Sequence, residues 1–205
     1  MSGATIGSIR FGSQELRDLL IAWVALGVAF ALFFAGGAAG VARGDFASLL
    51  LISMLTAGVG FLLHELAHKV VAIEFGQQAA FKADYSMLGL AIVSAMAGFI
   101  FAAPGAVYHR GRITKRENGL IAVAGPVTNL ALALLFAPLL FVPADFVFRL
   151  GLYGVGINLL LAAFNMIPFG PLDGKTVLAW NLPVFLLTFG VSVGLALGAA
   201  AFLFL

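Results

Sequence analysis

The chain has 205 residues, 62% of them apolar and 10% charged, and a mean hydropathy of +1.12. Soluble domains carry roughly 25% charge, so the composition is that of an integral membrane protein with little room for a soluble domain. Cysteine is absent and the net charge is +2, which excludes disulfides and thiolate metal sites and gives no sign of a nucleic-acid partner.

A helix needs roughly 20 apolar residues to cross a bilayer, and the runs 18–36, 47–73, 120–142, 150–169 and 183–205 reach that length. The first follows Arg10 and Arg17 and ends near Ala35-Gly36-Gly37-Ala38-Ala39, which resembles a signal-peptide cleavage site. Its apolar part is long for a signal peptide, so it is read as a retained helix.

The second run carries His64-Glu65-Leu66-Ala67-His68. Histidines four apart on a helix share one face, so both imidazoles can reach one metal ion, and Glu65 can reach a water on that ion. The surrounding residues are apolar on nearly every side, as in a helix within a bilayer. Three ionisable groups in such a place are costly and need a functional reason.

Between 74 and 119 the apolar stretch 86–107 holds Gly89, Gly98, Pro104 and Gly105. These suit a broken or re-entrant segment better than a plain helix. A basic cluster of Arg110, Arg112, Lys115 and Arg116 follows, with His109 beside it as an interfacial residue rather than a ligand.

The 120–142 run opens with Gly125-Pro126-Val127-Thr128-Asn129. Glycine and asparagine on a membrane helix permit close packing and interhelical hydrogen bonds, so Gly125, Pro126 and Asn129 are expected to be structural. The 150–169 run breaks in Asn165-Met166-Ile167-Pro168-Phe169-Gly170-Pro171-Leu172-Asp173-Gly174. Asp173 follows that break, where unwound backbone is tolerated only if it lines a cavity or faces water. A two-histidine zinc site needs a third protein ligand, and Asp173 is the best-placed carboxylate. Glu15, Asp18, Asp45, Glu74, Asp84, Glu117 and Asp145 lie at or near segment ends without such a setting. No repeat or long linker is visible, so a single domain, 1–205 with its core in 47–180, is expected. The fold class is an all-α integral membrane protein of about five to six transmembrane helices, with a re-entrant segment near 86–107.

Together the three motifs resemble the site-2 protease family of intramembrane zinc metalloproteases, in the family's order and over about 47–180. Pro104-Gly105-Ala106-Val107-Tyr108 is similar to that family's strand beside the active site, with Ala106 in place of a glycine. The resemblance is to the compact prokaryotic form, without PDZ or CBS domains. It implies one zinc per chain, ligated by His64, His68 and Asp173, with Glu65 as catalytic base. It also implies transmembrane proteins as substrates, cleaved within their bilayer segments. Asn165 is a candidate for stabilising the oxyanion; its plainer role is a hydrogen bond at a helix end. A metal transporter and a silent helix-binding relative are the rivals. Glu65 has no needed role in either.

Charge distribution adds a topology. With 86–107 re-entrant, one face holds Arg10, Arg17, Lys69, Lys82, Arg110, Arg112, Lys115, Arg116 and Lys175, and the other only Arg43 and Arg149. The positive-inside rule then places the N-terminus and the active-site end in the cytoplasm of a multi-pass cell-membrane protein.

Overall fold

The computed structural model describes residues 3–6, 9–101 and 104–204. Residues 102 and 103, within the 86–107 stretch, and Leu205, at the end of the last apolar run, lie outside the described residues. In chain order the elements are β1 (Gly3–Ile6), β2 (Ile9–Gly12), α1 (Ser13–Phe34), α2 (Phe46–Ser53), α3 (Val59–Glu74), β3 (Gln78–Ala83), α4 (Tyr85–Met96), β4 (Gly105–Arg110), α5 (Lys115–Phe136), α6 (Asp145–Asn165), α7 (Asp173–Trp180) and α8 (Leu182–Phe204). A π-helical turn, Met54–Gly58, joins α2 to α3, and a 3-10 turn, Ala137–Phe141, extends α5.

Among the described residues, five helices are long and apolar enough to cross a membrane: Ser13–Phe34, Phe46–Glu74, Lys115–Phe141, Asp145–Asn165 and Leu182–Ala201. They coincide with the five apolar runs, and the chain is an all-α membrane protein. Their outer faces carry large apolar side chains with no protein cover: Leu134 is 75% exposed, Phe141 87% and Leu187 69%. Large apolar side chains left uncovered on such helices suit lipid and not water.

The 86–107 stretch forms no single long helix. The twelve residues of α4 reach about 18 Å, well short of a hydrocarbon core of about 30 Å. Asp84 caps α4 by accepting from the Met87 N–H at 3.0 Å, and the helix ends before Gly98 at φ +88°. The Pro104–Tyr108 resemblance falls on β4, a strand. Gly105 sits at φ +142°, and a Cβ there would run into the Lys82 carbonyl of β3, the strand with which β4 pairs.

The chain divides into two compact units, residues 1–62 with 80–108, and residues 63–79 with 109–205. In the first, β1 and β2 form an antiparallel hairpin with Gly3 opposite Gly12. Ala29 and Leu32 of α1 pack on Ala91 and Ala95 of α4, small residues that let helix backbones approach closely. The π turn opens the regular ladder, and the Trp23 indole N–H donates to the Met54 carbonyl there at 3.0 Å. Trp23 is thus a packing residue, set against Gly58. Glu15 and Asp18 of α1 are buried. Glu15 Oε1 accepts from the Phe81 N–H at 3.0 Å and Asp18 Oδ2 from the Ala83 N–H at 3.2 Å. Asp18 Oδ1 also accepts from the Tyr85 hydroxyl at 2.5 Å. In the second unit, Ala122 of α5, Met166, Val177 of α7 and Phe185 of α8 make the buried core.

Candidate metal centre

His64, Glu65 and His68 lie on α3 and are buried. One helical turn brings the two imidazoles edge to face, 4.7 Å between centroids, with their Nε2 atoms 3.0 Å apart. Asp173 reaches them from the first turn of α7. The path is set by a break: α6 ends at Asn165, Gly170 turns at φ +61°, and Leu172 caps α7 in extended conformation. Gly174 then fits directly against the Met166 carbonyl, where a Cβ would overlap it. The Pro-Pro-Asp-Gly pattern therefore has a local reason. The prolines and Gly170 stop one helix, and Gly174 lets the next begin close against its end.

Asp173 Oδ2 lies 3.3 Å from His64 Nε2 and 3.4 Å from His68 Nε2. With the 3.0 Å imidazole contact, these separations match the edge of a tetrahedral zinc site, about 3.3 Å for bonds of about 2.0–2.1 Å. Asp173 Oδ2 is buried and accepts no hydrogen bond, an orphaned oxygen that a cation would satisfy. Burial pushes the Asp173 carboxyl up, but the facing His68 and His64 outweigh it and hold the group below the usual carboxylate range. Gly125 of α5 forms the wall opposite. A Cβ there would stand 2.5 Å from His68 Nε2 and 2.6 Å from His64 Nε2. The residues present fit a zinc ion: two imidazoles and a carboxylate, with no thiolate required.

The outer nitrogens are held as well. His64 Nδ1 donates to Asn129 Oδ1 at 2.6 Å, and His68 Nδ1 donates to the Ile121 carbonyl at 2.7 Å. Both contacts favour the tautomer that leaves Nε2 as the ligand atom. Pro126 lacks the N–H that would bond the Ala122 carbonyl, which loosens the α5 ladder in the turn where Ile121 accepts from His68. Asn129 Nδ2 donates in turn to Asn158 Oδ1 at 2.9 Å, and Asn158 Nδ2 donates to the Gly154 carbonyl at 2.9 Å. Gly125, Pro126 and Asn129 thus lie at the site, with Asn129 directly on a candidate ligand.

Asn165 is placed differently. Its Nδ2 donates to the Leu161 carbonyl at 3.0 Å, the helix-end bond that its position also suggested. Sequence reasoning passed over Asn158, a fully buried amide in an apolar helix. Its isolation among Ile157 and Leu159 was the available signal. The topology count also places Lys69 among the charges of one membrane face, whereas Lys69 is fully buried on α3. Among the described residues, His109 joins no metal-ligating cluster, and the group formed is His64, His68 and Asp173.

Membrane-length helices together with a buried two-histidine, one-carboxylate group on α3 and α7 fit the class of zinc-binding membrane proteins. The chain is 41% identical over 177 residues to a Methanocaldococcus jannaschii protein named "Putative zinc metalloprotease MJ0611", covering 84% of this chain and 87% of that one. It is 34% identical over 156 residues to the Bacillus subtilis protein "Putative zinc metalloprotease YwhC", covering 66% of this chain and 71% of the relative. The chain belongs to the family of these zinc metalloproteases. No family model matches it, and no solved structure matches it.

Proposed function

We propose that the chain is an intramembrane protease of the site-2 type, which hydrolyses peptide bonds within transmembrane segments of other membrane proteins. The observation that carries this reading is the convergence of His64, His68 and Asp173 on one point, with Glu65 in the same helix, inside an apolar span. His64 Nε2, His68 Nε2 and Asp173 Oδ2 would hold one zinc per chain. A bound zinc supplies Lewis acidity toward water and a peptide carbonyl. Glu65 takes the proton of the attacking water on its carboxylate and passes it to the departing amine. Asn129 and the Ile121 carbonyl keep the imidazoles in register through that proton transfer. The Asn165 amide, once turned from Leu161, donates to the developing oxyanion, a role worth roughly 3–4 kcal/mol in a dry site.

Amides of a substrate helix are already hydrogen-bonded, so the target segment unwinds before attack, and residues of low helix propensity near the cut favour cleavage. The N-terminus and the active-site end face the cytoplasm of the cell membrane. The test is cleavage of a reporter transmembrane substrate by detergent-purified protein, with zinc, with chelator and with Glu65→Gln. Cleavage that requires both the metal and Glu65 is expected. Cleavage that persists in the variant or in chelator overturns the reading, as does zinc passage through vesicles without any proteolysis.

A further inference from the structure

A cleft lies in the unit formed by 63–79 and 109–205, and its lining includes none of the candidate metal ligands. It has a volume of about 370 Å³, and its lining includes Lys115 and Asn118 of α5 and Lys175, Thr176 and Trp180 of α7. Both lysines are exposed, and among the described residues neither is paired with a carboxylate. No acidic residue lines the cleft. The wall is firm: Trp180 packs on Gly119, where a Cβ would overlap its ring, and on the core of Ala122, Met166, Val177 and Phe185.

Its position relative to the bilayer follows from the spans. Lys115 opens the span Lys115–Phe141, and α7 lies between the end of Asp145–Asn165 and the start of Leu182–Ala201. Two crossings separate these points, so both lie at the same membrane surface. Trp180 is of the type that anchors at that level. Two unpaired cations, a hydroxyl, an amide and an interfacial indole form a site for a phosphate that is attached to lipid. Arg110, Arg112 and Arg116 add positive charge in the adjoining sequence.

We infer that this cleft binds the phosphate headgroup of an anionic phospholipid from the surrounding leaflet, with Lys115 and Lys175 on the phosphate, Asn118 and Thr176 as hydrogen-bond donors and Trp180 against the glycerol region. The site shares α7 with Asp173, so the headgroup holds the helix that carries the third metal donor. Headgroup binding itself does not depend on the protease reading, and its test needs no activity.

The full chain is placed in phosphatidylcholine vesicles containing a small fraction of phosphatidylglycerol with a nitroxide near its headgroup, and tryptophan quenching is followed. A quenching component lost in Trp180→Phe is expected. Unlabelled phosphatidylglycerol should displace it, and phosphatidylcholine or millimolar inorganic phosphate should not. Lys115→Gln with Lys175→Gln should weaken the binding about 25-fold, about fivefold for each lysine. Lys115→Arg with Lys175→Arg, which keeps the charge, should retain it. Equal quenching by nitroxide phosphatidylcholine, or unchanged binding in the glutamine variant, overturns the proposal. Displacement by inorganic phosphate overturns the lipid as its source.

Discussion

Glu65 and Gly125 separate the chemistry of the site from its construction. On the proposed mechanism Glu65→Gln keeps the shape and removes the base, so turnover should fall by about 10²–10⁴ while zinc content, read by elemental analysis, stays at the wild-type level. Gly125→Ala does the reverse. The added methyl would stand 2.5–2.6 Å from both ligand nitrogens, so zinc content should collapse with the helical circular dichroism unchanged. Asn129→Ala lies between, because it removes the acceptor on His64 Nδ1 and the donor to Asn158 while leaving all three candidate ligands in place. A fall of about 10–100-fold in zinc affinity is expected, and an unchanged affinity would reduce Asn129 to a packing residue. These positions were legible to different degrees for physical reasons. Two histidines at helical spacing carry their meaning locally, and Asp173 was reachable because a carboxylate after a proline break in a membrane chain has few other uses. Asn158 reaches the site through Asn129, across helices, and nothing in its neighbours encodes that partner.

Elements were read well where length and apolarity decide them and poorly where side chains from afar do. All five long spans follow from apolar runs, and α4 is short because Gly98 and Pro104 interrupt its stretch. The β1–β2 hairpin was not anticipated, since four-residue strands give too brief an alternation to stand out. Glu15 and Asp18 were read as acids at a span end, yet they close the N–H groups of Phe81 and Ala83 on β3. Three residues apart on α1, the two carboxylates reach alternate residues of the strand, whose N–H groups point to one edge. Asp18→Ala would strip both the Ala83 N–H and the Tyr85 hydroxyl of a charged acceptor. At about 1.5–3 kcal/mol for each such bond, a clear drop in thermal stability in detergent is expected. The metal centre lies in the other unit, so zinc affinity of the folded variant should hold. A variant that keeps wild-type stability would show that α1 does not hold the strand.

At the scale of the whole molecule, the chain's orientation rests on arginine and lysine. Lys69 is fully buried within α3 and drops out of the count of surface charges, which leaves eight basic residues on the proposed cytoplasmic face against Arg43 and Arg149 on the other. The bias survives because half of it comes from Arg110, Arg112, Lys115 and Arg116, at and just before the start of α5, and α4 is too short to carry them across. Since the chain has no cysteine, single introduced cysteines report each face without background. Arg112→Cys stands in the loop before α5 and Ala144→Cys between the spans Lys115–Phe141 and Asp145–Asn165, both at exposed positions. In intact cells a membrane-impermeant maleimide should label position 144 and spare 112 until the membrane is opened. The reverse pattern would turn the molecule over. The end of the molecule that carries the candidate metal centre would then face the cell exterior.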